Sequence, residues 1–441
     1  MPSVAQAVLA SWSFPPWATA LNLFAAVVYF RGWLELHPAL PGRFPAWRLT
    51  AFLSGLATLE LALASPIDTF DPFFLTDHMI QHLFLMMIVP PLILLGNPYL
   101  ALLRGMPRWA ARRVLGPLLN WPPLGRFGRG LVHPAVGFLA LALANFGWHV
   151  PAAYELALRS PGWHDCEHVC FFVASILYWW PVVRPWPSRG RSISWFLPVY
   201  LALGDIVNSI LSAFLAFSGR VLYPWYASVP RLGGFSAQDD QVASGAVMWV
   251  IGSLAFLIPA VIITVRLLSP AAPATHPERH GARPGPSQFR RIFLPALALL
   301  LPLAALAFAW LAPDTVDTDG DIVRLQGISG PFQITLFTAP GAFDSGPAEA
   351  SILVQGRDSG EVILDAAVTL AVQPASGRPG ETVSATRGQS TNKLLEAATM
   401  NLTGPGPWKW RVAVERGGEH GALSGILDAA SRGGAPAPAE P

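Results

Sequence analysis

Long apolar runs separated by short polar connections fill the first 311 residues of the chain. Each run is about 20 residues long, the length of helix that crosses roughly 30 Å of hydrocarbon. The pattern predicts an all-α polytopic membrane helix bundle of about eight spans. A kink is expected in the third span, because Pro90 and Pro91 lack the N–H groups that a helix needs. The predicted spans are residues 17–36, 46–65, 77–96, 132–150, 164–183, 193–217, 241–266 and 290–311.

The pattern changes after the eighth run. From about residue 321 onward, short stretches of alternating apolar and polar residues recur with turn residues between them, as in Phe332–Phe337 and Trp408–Val414. This alternation predicts a small β-sandwich of the immunoglobulin-like type. The predicted organisation is a seven-span membrane domain (1–268), a cytoplasmic linker (269–289), an eighth span (290–313), an extracytoplasmic β-sandwich (314–430) and a disordered tail (431–441).

The composition supports a membrane protein. The chain is 52% hydrophobic and 13% charged, whereas an average soluble domain has roughly a quarter of its residues charged. The net charge is only +2 and there is no basic tract, so a nucleic-acid partner is not expected. Two cysteines do not form a disulfide framework. No cleavable signal peptide is predicted, because the first basic residue is Arg31.

Arginines are unequally distributed between alternate connections. Most of those that flank the spans lie in one set of connections, whereas the other set holds Arg159, Arg220 and Arg231. Positive residues are enriched on the cytoplasmic side of membrane proteins, so the arginine-rich set is predicted to be cytoplasmic. With eight spans, the N-terminus and the C-terminal domain are then both extracytoplasmic.

Five of the ten histidines fall at one predicted level, at the outer face of the membrane. His78 and His82 lie in the outer turns of the third span, His149 ends the fourth, and His164 and His168 open the fifth. Residues four apart share a helix face, so each pair can chelate one ion. Because polar groups inside a membrane are costly and usually functional, we predict that the five imidazoles are metal ligands. The alternative for each one separately is a polar anchor at the membrane edge.

Sulfur and carboxylate groups accompany these histidines. Met79 and Met86 lie near the first pair, and imidazole together with thioether suits copper, with thioether favouring Cu(I). The alternative is that the methionines fill gaps in helix packing. The carboxylates of Asp77, Asp165 and Glu167 are candidates to orient the imidazoles.

Cys166 and Cys170 share a helix face that points away from His164 and His168. Small apolar packing is therefore favoured for the two cysteines over a ligand role, although the sequence leaves both open.

Three further polar residues lie within predicted spans, namely Glu60, Asp205 and Asn208. An ionisable group at that depth is costly unless it is paired or solvated. Asp205 could neutralise a cation, relay protons, or hydrogen-bond to Asn208 or a neighbouring helix.

These segments resemble the CtaG-type cytochrome c oxidase assembly factors of bacteria over roughly residues 17–268. The resemblance is carried by HMIQHLFLMMIVPPLILLGNP, WHVPAAYELAL and HDCEHVCFFVASILYWWPV, by Gly204-Asp205, by Leu222–Tyr226, and by Asp240-Gln241 with Gly245 and Met248-Trp249. It implies a multi-pass protein of the bacterial cytoplasmic (inner) membrane that is needed to mature a haem-copper oxidase, with copper held by the five histidines. Oxidase subunits and membrane lipid are the implied partners, and a periplasmic copper chaperone is a further candidate.

Three functions remain open from the sequence. The first is an assembly factor that holds copper and passes it to an oxidase subunit. The second is a copper transporter with Asp205 further along its path, and the third is a b-type haem protein, because histidines on different helices can clamp haem iron. An enzyme is not expected, because no Ser-His-Asp set, zinc-protease motif or phosphate loop is apparent.

The C-terminal segment weakly resembles small immunoglobulin-like domains of periplasmic copper-related proteins. It contains one histidine and one methionine, His420 and Met400, so it is expected to be a docking or structural module rather than a copper carrier.

Overall fold

The computed structural model describes residues 3–185, 195–232, 235–269, 321–339, 343–344 and 346–430. Its helical bundle is followed by two sheets, which confirms the predicted class of fold. Two π-helical segments, Phe84–Ile88 and Ala111–Leu115, follow α5 and α8. The α-helices are α1 (Val4–Leu9), α2 (Pro16–Ala39), α3 (Ala46–Ala64), α4 (Pro66–Phe70), α5 (Leu75–Leu83), α6 (Val89–Leu95), α7 (Pro98–Gly105), α8 (Arg108–Ala110), α9 (Gly116–Leu119), α10 (Pro122–Leu131), α11 (Pro134–Trp148), α12 (Pro151–Leu158), α13 (Pro161–Val183), α14 (Phe196–Phe217), α15 (Pro224–Ser228) and α16 (Ala237–Leu268).

Five helical stretches of the described chain are long and apolar enough to cross a membrane. Helices α10 and α11 could form a sixth, although they are bent by 63° relative to one another. The first predicted span forms α2, which carries Arg31 and Glu35 and is not among the five. The eighth predicted span, 290–311, and the predicted linker and tail lie outside the described residues. The five stretches are Ala46–Phe70, Leu75–Leu95, Pro161–Val183, Phe196–Phe217 and Ala237–Leu268.

The third predicted span is continuous in space but changes its winding at Phe84–Ile88. An α-helical bond to the Met86 carbonyl would come from the N–H of residue 90, and a π-helical bond would come from residue 91. Both positions are prolines, so neither bond can form. The indole Nε1 of Trp179 in α13 donates to that carbonyl instead, at 3.0 Å. At the position of the predicted kink, the structure therefore has a π-helical turn that a hydrogen bond from α13 stabilises.

The C-terminal region forms a sandwich of two sheets around a core that includes Trp410, Leu370 and Ile352. The sheet orders are β1-β2-β4-β7 and β3-β9-β8-β5-β6. All neighbouring strands pair antiparallel except β3 and β9, which pair parallel. The strands are β1 (Ile322–Ser329), β2 (Phe332–Thr338), β3 (Phe343–Asp344), β4 (Gly346–Gly356), β5 (Ala367–Pro374), β6 (Glu381–Ala385), β7 (Glu396–Leu402), β8 (Gly406–Arg416) and β9 (Glu419–Ala430).

The first sheet packs directly on one end of the helical bundle, which we call the sandwich-side end. The Phe337 ring of β2 meets the Phe73 ring edge-on, with 5.8 Å between their centroids. The backbone N–H of Lys393 donates to Ser11 Oγ at 2.8 Å, and Gln355 Nε2 donates to the Arg231 carbonyl. The apolar residues of this interface are Ala7, Phe70, Phe73, Leu232, Phe337, Leu353, Leu394 and Leu395.

Candidate metal centre

Four of the predicted histidines meet in one buried cluster at the sandwich-side end. The ring centroids of His78 and His82 are 4.3 Å apart, and those of His164 and His168 are 4.2 Å apart. Between helices, His78 lies 5.2 Å from His164 and His82 lies 5.5 Å from His168. The spacing of four residues thus gives two adjacent rings on each of α5 and α13, and the two pairs face each other.

His149, the fifth predicted ligand, lies at the rim of this cluster. Its ring centroid is 6.3 Å from that of His82. Nδ1 lies 2.7 Å from the Asn145 carbonyl, and Nε2 lies 3.4 Å from Met79 Sδ. The carbonyl contact fixes the tautomer with the proton on Nδ1, so the lone pair of Nε2 faces the thioether.

Two buried carboxylates complete the cluster. Glu167 is fully buried, and its oxygens lie 3.7 Å from His78 Nε2 and from His82 Nε2. Asp71 Oδ2 lies 3.2 Å from His164 Nε2 and 3.6 Å from His78 Nδ1. The sequence interpretation proposed Glu167 as an orienting group but missed Asp71, which follows α4 in the connection between two spans. The only feature of the sequence that pointed to Asp71 was its position seven residues before His78.

These donors form two groups, each with one ligand atom per residue within 4.8 Å of the others. One group is His78, His82 and His168, and the other is Asp71, His78 and His164. Several buried atoms of these residues have no hydrogen-bond partner in the described structure. They are both ring nitrogens of His82, both carboxylate oxygens of Glu167 and Nε2 of His168. Buried polar atoms are rarely left unsatisfied, so a site with several of them together is suited to bind a cation.

Asp240 of α16 fixes the start of the helix that carries His78 and His82. The first N–H groups of a helix lack intrahelical partners, and Phe74 supplies no side-chain cap to α5. The Asp240 carboxylate accepts instead from the backbone N–H groups of Leu75, at 2.8 Å, and Thr76, at 3.1 Å. Arg231 contacts the same carboxylate at 3.3 Å. A helix 165 residues further along the chain therefore sets the position of α5.

The loop that carries Asp71 is held by aromatic residues of α15. Tyr226 Oη donates to the Asp71 carbonyl at 3.1 Å, and Trp225 Nε1 donates to the Pro72 carbonyl at 2.8 Å. The Arg231 guanidinium donates to the Phe73 carbonyl at 3.1 Å. Three consecutive carbonyls are thus anchored, which orients the Asp71 side chain toward the histidines.

The remaining predicted ligands lie outside the cluster. Met86 packs in an apolar core with Phe171 and Trp179. Asp165 and Cys166 are exposed, and Cys170 is half-buried, so these three side chains of α13 do not share the buried face of the histidines. Asp77 is half-buried in the first turn of α5.

The intramembrane polar residues have separate surroundings. Glu60 accepts from Thr19 Oγ1 at 2.5 Å and from Asn22 Nδ2 at 2.8 Å, which ties α3 to α2. Asn208 donates to the Met248 carbonyl of α16 at 3.1 Å. Asp205 is half-buried on α14. Asn208 thus bonds to a neighbouring helix, whereas Oδ1 of Asp205 has no hydrogen-bond partner within the described structure, and the alternatives weighed for Asp205 stay predictions.

Residues 27–269 match the family described as cytochrome c oxidase caa3 assembly factor. This match covers more than half of the chain and includes every residue of the cluster. The chain belongs to this family. The resemblance drawn from its helical segments is thereby confirmed.

Relatives of this family member occur in mycobacteria. An uncharacterized protein of Mycobacterium bovis and one of Mycobacterium tuberculosis are each 24% identical over 279 residues, which are 61% of this chain. An uncharacterized protein of Mycobacterium leprae is 23% identical over 276 residues, or 60% of this chain. The aligned part is 40% of the length of each relative, so the chain spans about two fifths of these proteins. No solved structure matches the chain.

In this member of the family, a cavity of about 730 Å³ opens beside the histidine cluster. It lies among α2, α3 and α13, with Thr391 of the sandwich at its edge. His164 and His168 form part of its wall, together with the carboxylates of Glu60 and Asp68. The cluster is therefore enclosed by helices on most sides and borders open space on the side of α13.

Proposed function

We propose that this protein is an assembly factor for a haem-copper cytochrome c oxidase that holds copper in its buried histidine cluster and passes it to an oxidase subunit. Its role is to bind and release the metal and not to catalyse a reaction. The proposal rests on membership of the caa3 assembly factor family and on the chemistry of the cluster.

The observation that carries the proposal is the convergence of four imidazoles from two helices on two buried carboxylates. Asp71 Oδ2 lies 3.2 and 3.6 Å from the two histidine nitrogens. Ligand atoms about 2.1 Å from a tetrahedral metal lie about 3.4 Å from one another, which is close to both distances. Hydrogen bonds between such groups are commonly 2.7–3.2 Å, so the 3.6 Å spacing suits coordination better.

The donor set suits copper. Imidazole nitrogen binds first-row transition metals, and copper is the divalent ion with the highest affinity in that series. Without a cation, a fully buried carboxylate such as Glu167 is costly to hold in its charged form. A bound copper ion would compensate that charge and give a partner to Nε2 of His82 and Nε2 of His168.

The proposal includes an orientation. The arginine distribution predicts that the sandwich-side end of the bundle faces the extracytoplasmic side of the bacterial inner membrane. Copper would then be collected and released at that face, near the copper sites that an oxidase must fill there.

The test is metal analysis of protein purified in detergent after loading with copper, for the wild type and for the double variant His78→Ala/His82→Ala. We expect bound copper in the wild type and loss of it in the double variant, together with loss of cytochrome c oxidase activity in membranes of cells that carry the variant. His420→Ala is the matched control, because His420 is exposed in the sandwich. Full copper stoichiometry in the double variant would refute the site.

Two alternatives predict other results. A copper transporter would give metal flux into vesicles, whereas a holding factor gives none while oxidase assembly proceeds. A b-type haem protein would show a Soret band.

A further inference from the structure

We propose that the centre holds two cations at once, and that the imidazole of His78 bridges them. This inference rests on the proposed function, since it concerns the number of ions in the same cluster. It assigns Asp71 and His164 to a second position, distinct from the one served by His82, His168 and Glu167.

The two nitrogens of His78 face different neighbours. Nδ1 lies 3.6 Å from Asp71 Oδ2, whereas Nε2 lies 3.7 Å from Glu167 Oε2. Each neighbour leads to a further imidazole, because Asp71 Oδ2 is 3.2 Å from His164 Nε2 and Glu167 Oε1 is 3.7 Å from His82 Nε2. His78 is the one residue that both three-ligand groups of the described structure share.

One ion cannot use both nitrogens of a ring, because their lone pairs point away from each other. A metal bound at about 2.0 Å from each nitrogen would leave the two ions about 6 Å apart. The Asp71 side and the Glu167 side of His78 are therefore separate coordination positions. When both are filled, the ring carries no N–H, and its last ring proton leaves to solvent.

The charges agree with two positions. Asp71 is 1% exposed and Glu167 is not exposed, so each is a carboxylate in a region from which water is excluded. Burying a charge is costly unless an opposite charge lies close to it. A separate cation against each carboxylate would compensate both charges locally, because the two carboxylates lie on opposite nitrogens of the His78 ring.

The two positions share α5 and α13, but the second also needs a residue from outside these helices. His82, Glu167 and His168 lie on α5 and α13, whereas Asp71 lies in the loop that Tyr226 and Trp225 anchor. The second position can therefore be removed without changing a helix that forms the first.

The test is the number of Cu²⁺ ions per chain in detergent-purified protein, loaded from a weak Cu²⁺ chelator and measured by mass spectrometry. We expect about two ions in the wild type, one in Asp71→Asn and one in His82→Gln. Asp358→Asn is the carboxylate control, because Asp358 is exposed in the sandwich, and it should retain two. Should Asp71→Asn fail to fold, His164→Gln removes the same position and should also bind one ion.

Electron paramagnetic resonance adds a readout specific for the bridge. Two Cu²⁺ ions joined through one imidazole couple antiferromagnetically. The number of unpaired spins per chain should therefore be lower than the number of Cu²⁺ ions bound per chain. In Asp71→Asn, the number of unpaired spins per chain should equal the number of bound Cu²⁺ ions. One ion in the wild type that is unaffected by Asp71→Asn would overturn the bridge and leave the proposed function intact. Two ions retained in Asp71→Asn would overturn it as well. No bound ion in the wild type would refute the proposed function itself.

Discussion

Glu167 is a carboxylate whose described ion-pair contacts are both with imidazoles, at 3.7 Å. In the metal-free protein an ionised Glu167 would be buried without a full counter-charge, whereas a bound cation would sit against it. The same side chain should therefore oppose folding of the metal-free form and favour metal binding.

We expect Glu167→Gln to shift these two properties in opposite directions. Thermal unfolding of the metal-free variant in detergent should occur at a higher temperature than in the wild type, because a buried charge costs several kcal/mol and the amide does not carry it. Copper affinity should fall at least tenfold, measured by chelator competition. Asp358→Asn, which alters an exposed carboxylate of the sandwich, should change neither. A metal-free variant that unfolds at a lower temperature would contradict this account.

At this scale the sequence predicted which histidines lie close together, but it predicted the nearby carboxylates only in part; the role of these residues as ligands stays a prediction. Helical periodicity places His78 beside His82 and His164 beside His168, so their pairing follows from spacing alone. Asp71 lies in a connection, where no periodicity relates it to a helix face. Its position depends on hydrogen bonds from α15, which lies more than 150 residues away in sequence.

Among the helices, the π-helical segment and the cap of α5 do most to fix the cluster. Phe84–Ile88 follows His82 directly, and its Met86 carbonyl depends on Trp179. The kink was predictable from Pro90 and Pro91, because proline cannot donate. The indole N–H of Trp179, which donates in place of the prolines, was not predictable. The sequence does not show where the side chain of a tryptophan in another predicted span points.

Trp179→Phe should destabilise the protein by about 1–3 kcal/mol, because it leaves a buried carbonyl without a donor. We expect a lower unfolding temperature in detergent. Trp163→Phe serves as control, since Trp163 lies near the start of the same helix and is 48% exposed. Equal unfolding temperatures for the two variants would show that the Met86 carbonyl does not need its partner.

Asp240→Ala should loosen the first turn of α5, because Leu75 and Thr76 lose the acceptor of their N–H groups. Loss of a helix cap costs about 0.5–2 kcal/mol. Hydrogen exchange of residues 74–79 should rise, and copper should dissociate faster. Asp239→Ala is the adjacent control, because its carboxylate bonds only locally to Ser236. Unchanged exchange in Asp240→Ala would argue that packing alone holds α5.

For the whole molecule, the notable feature is a sandwich packed on the end of the bundle that contains the cluster. Alternating residues predicted the sandwich, and apolar runs predicted the bundle. Their contact was not predictable, because Phe337 is one apolar residue among several in a strand whose Ile334 and Leu336 enter the sandwich core. The number of membrane spans is a property of the whole chain, and the count of eight spans remains a prediction.

Phe337→Ala should weaken the contact between the two parts and leave the sandwich folded, because Phe337 packs on Phe73 and not in the sandwich core. Truncating a buried phenylalanine costs about 3–5 kcal/mol. We expect faster proteolysis in the connection that contains Asp71 and faster copper release. Ile328→Ala is the control in the same sheet, with a side chain that is 60% exposed. Proteolysis equal to that of the control would mean that the sandwich does not protect this connection.

The cavity among α2, α3 and α13 bears on how an acceptor could reach the histidines. With the sandwich covering one approach, His164 and His168 remain reachable sideways, past Glu60 and Asp68. An acceptor using that route would meet His164 and His168 before the other imidazoles of the cluster, because these two line the cavity. Handover of copper would then start from α13.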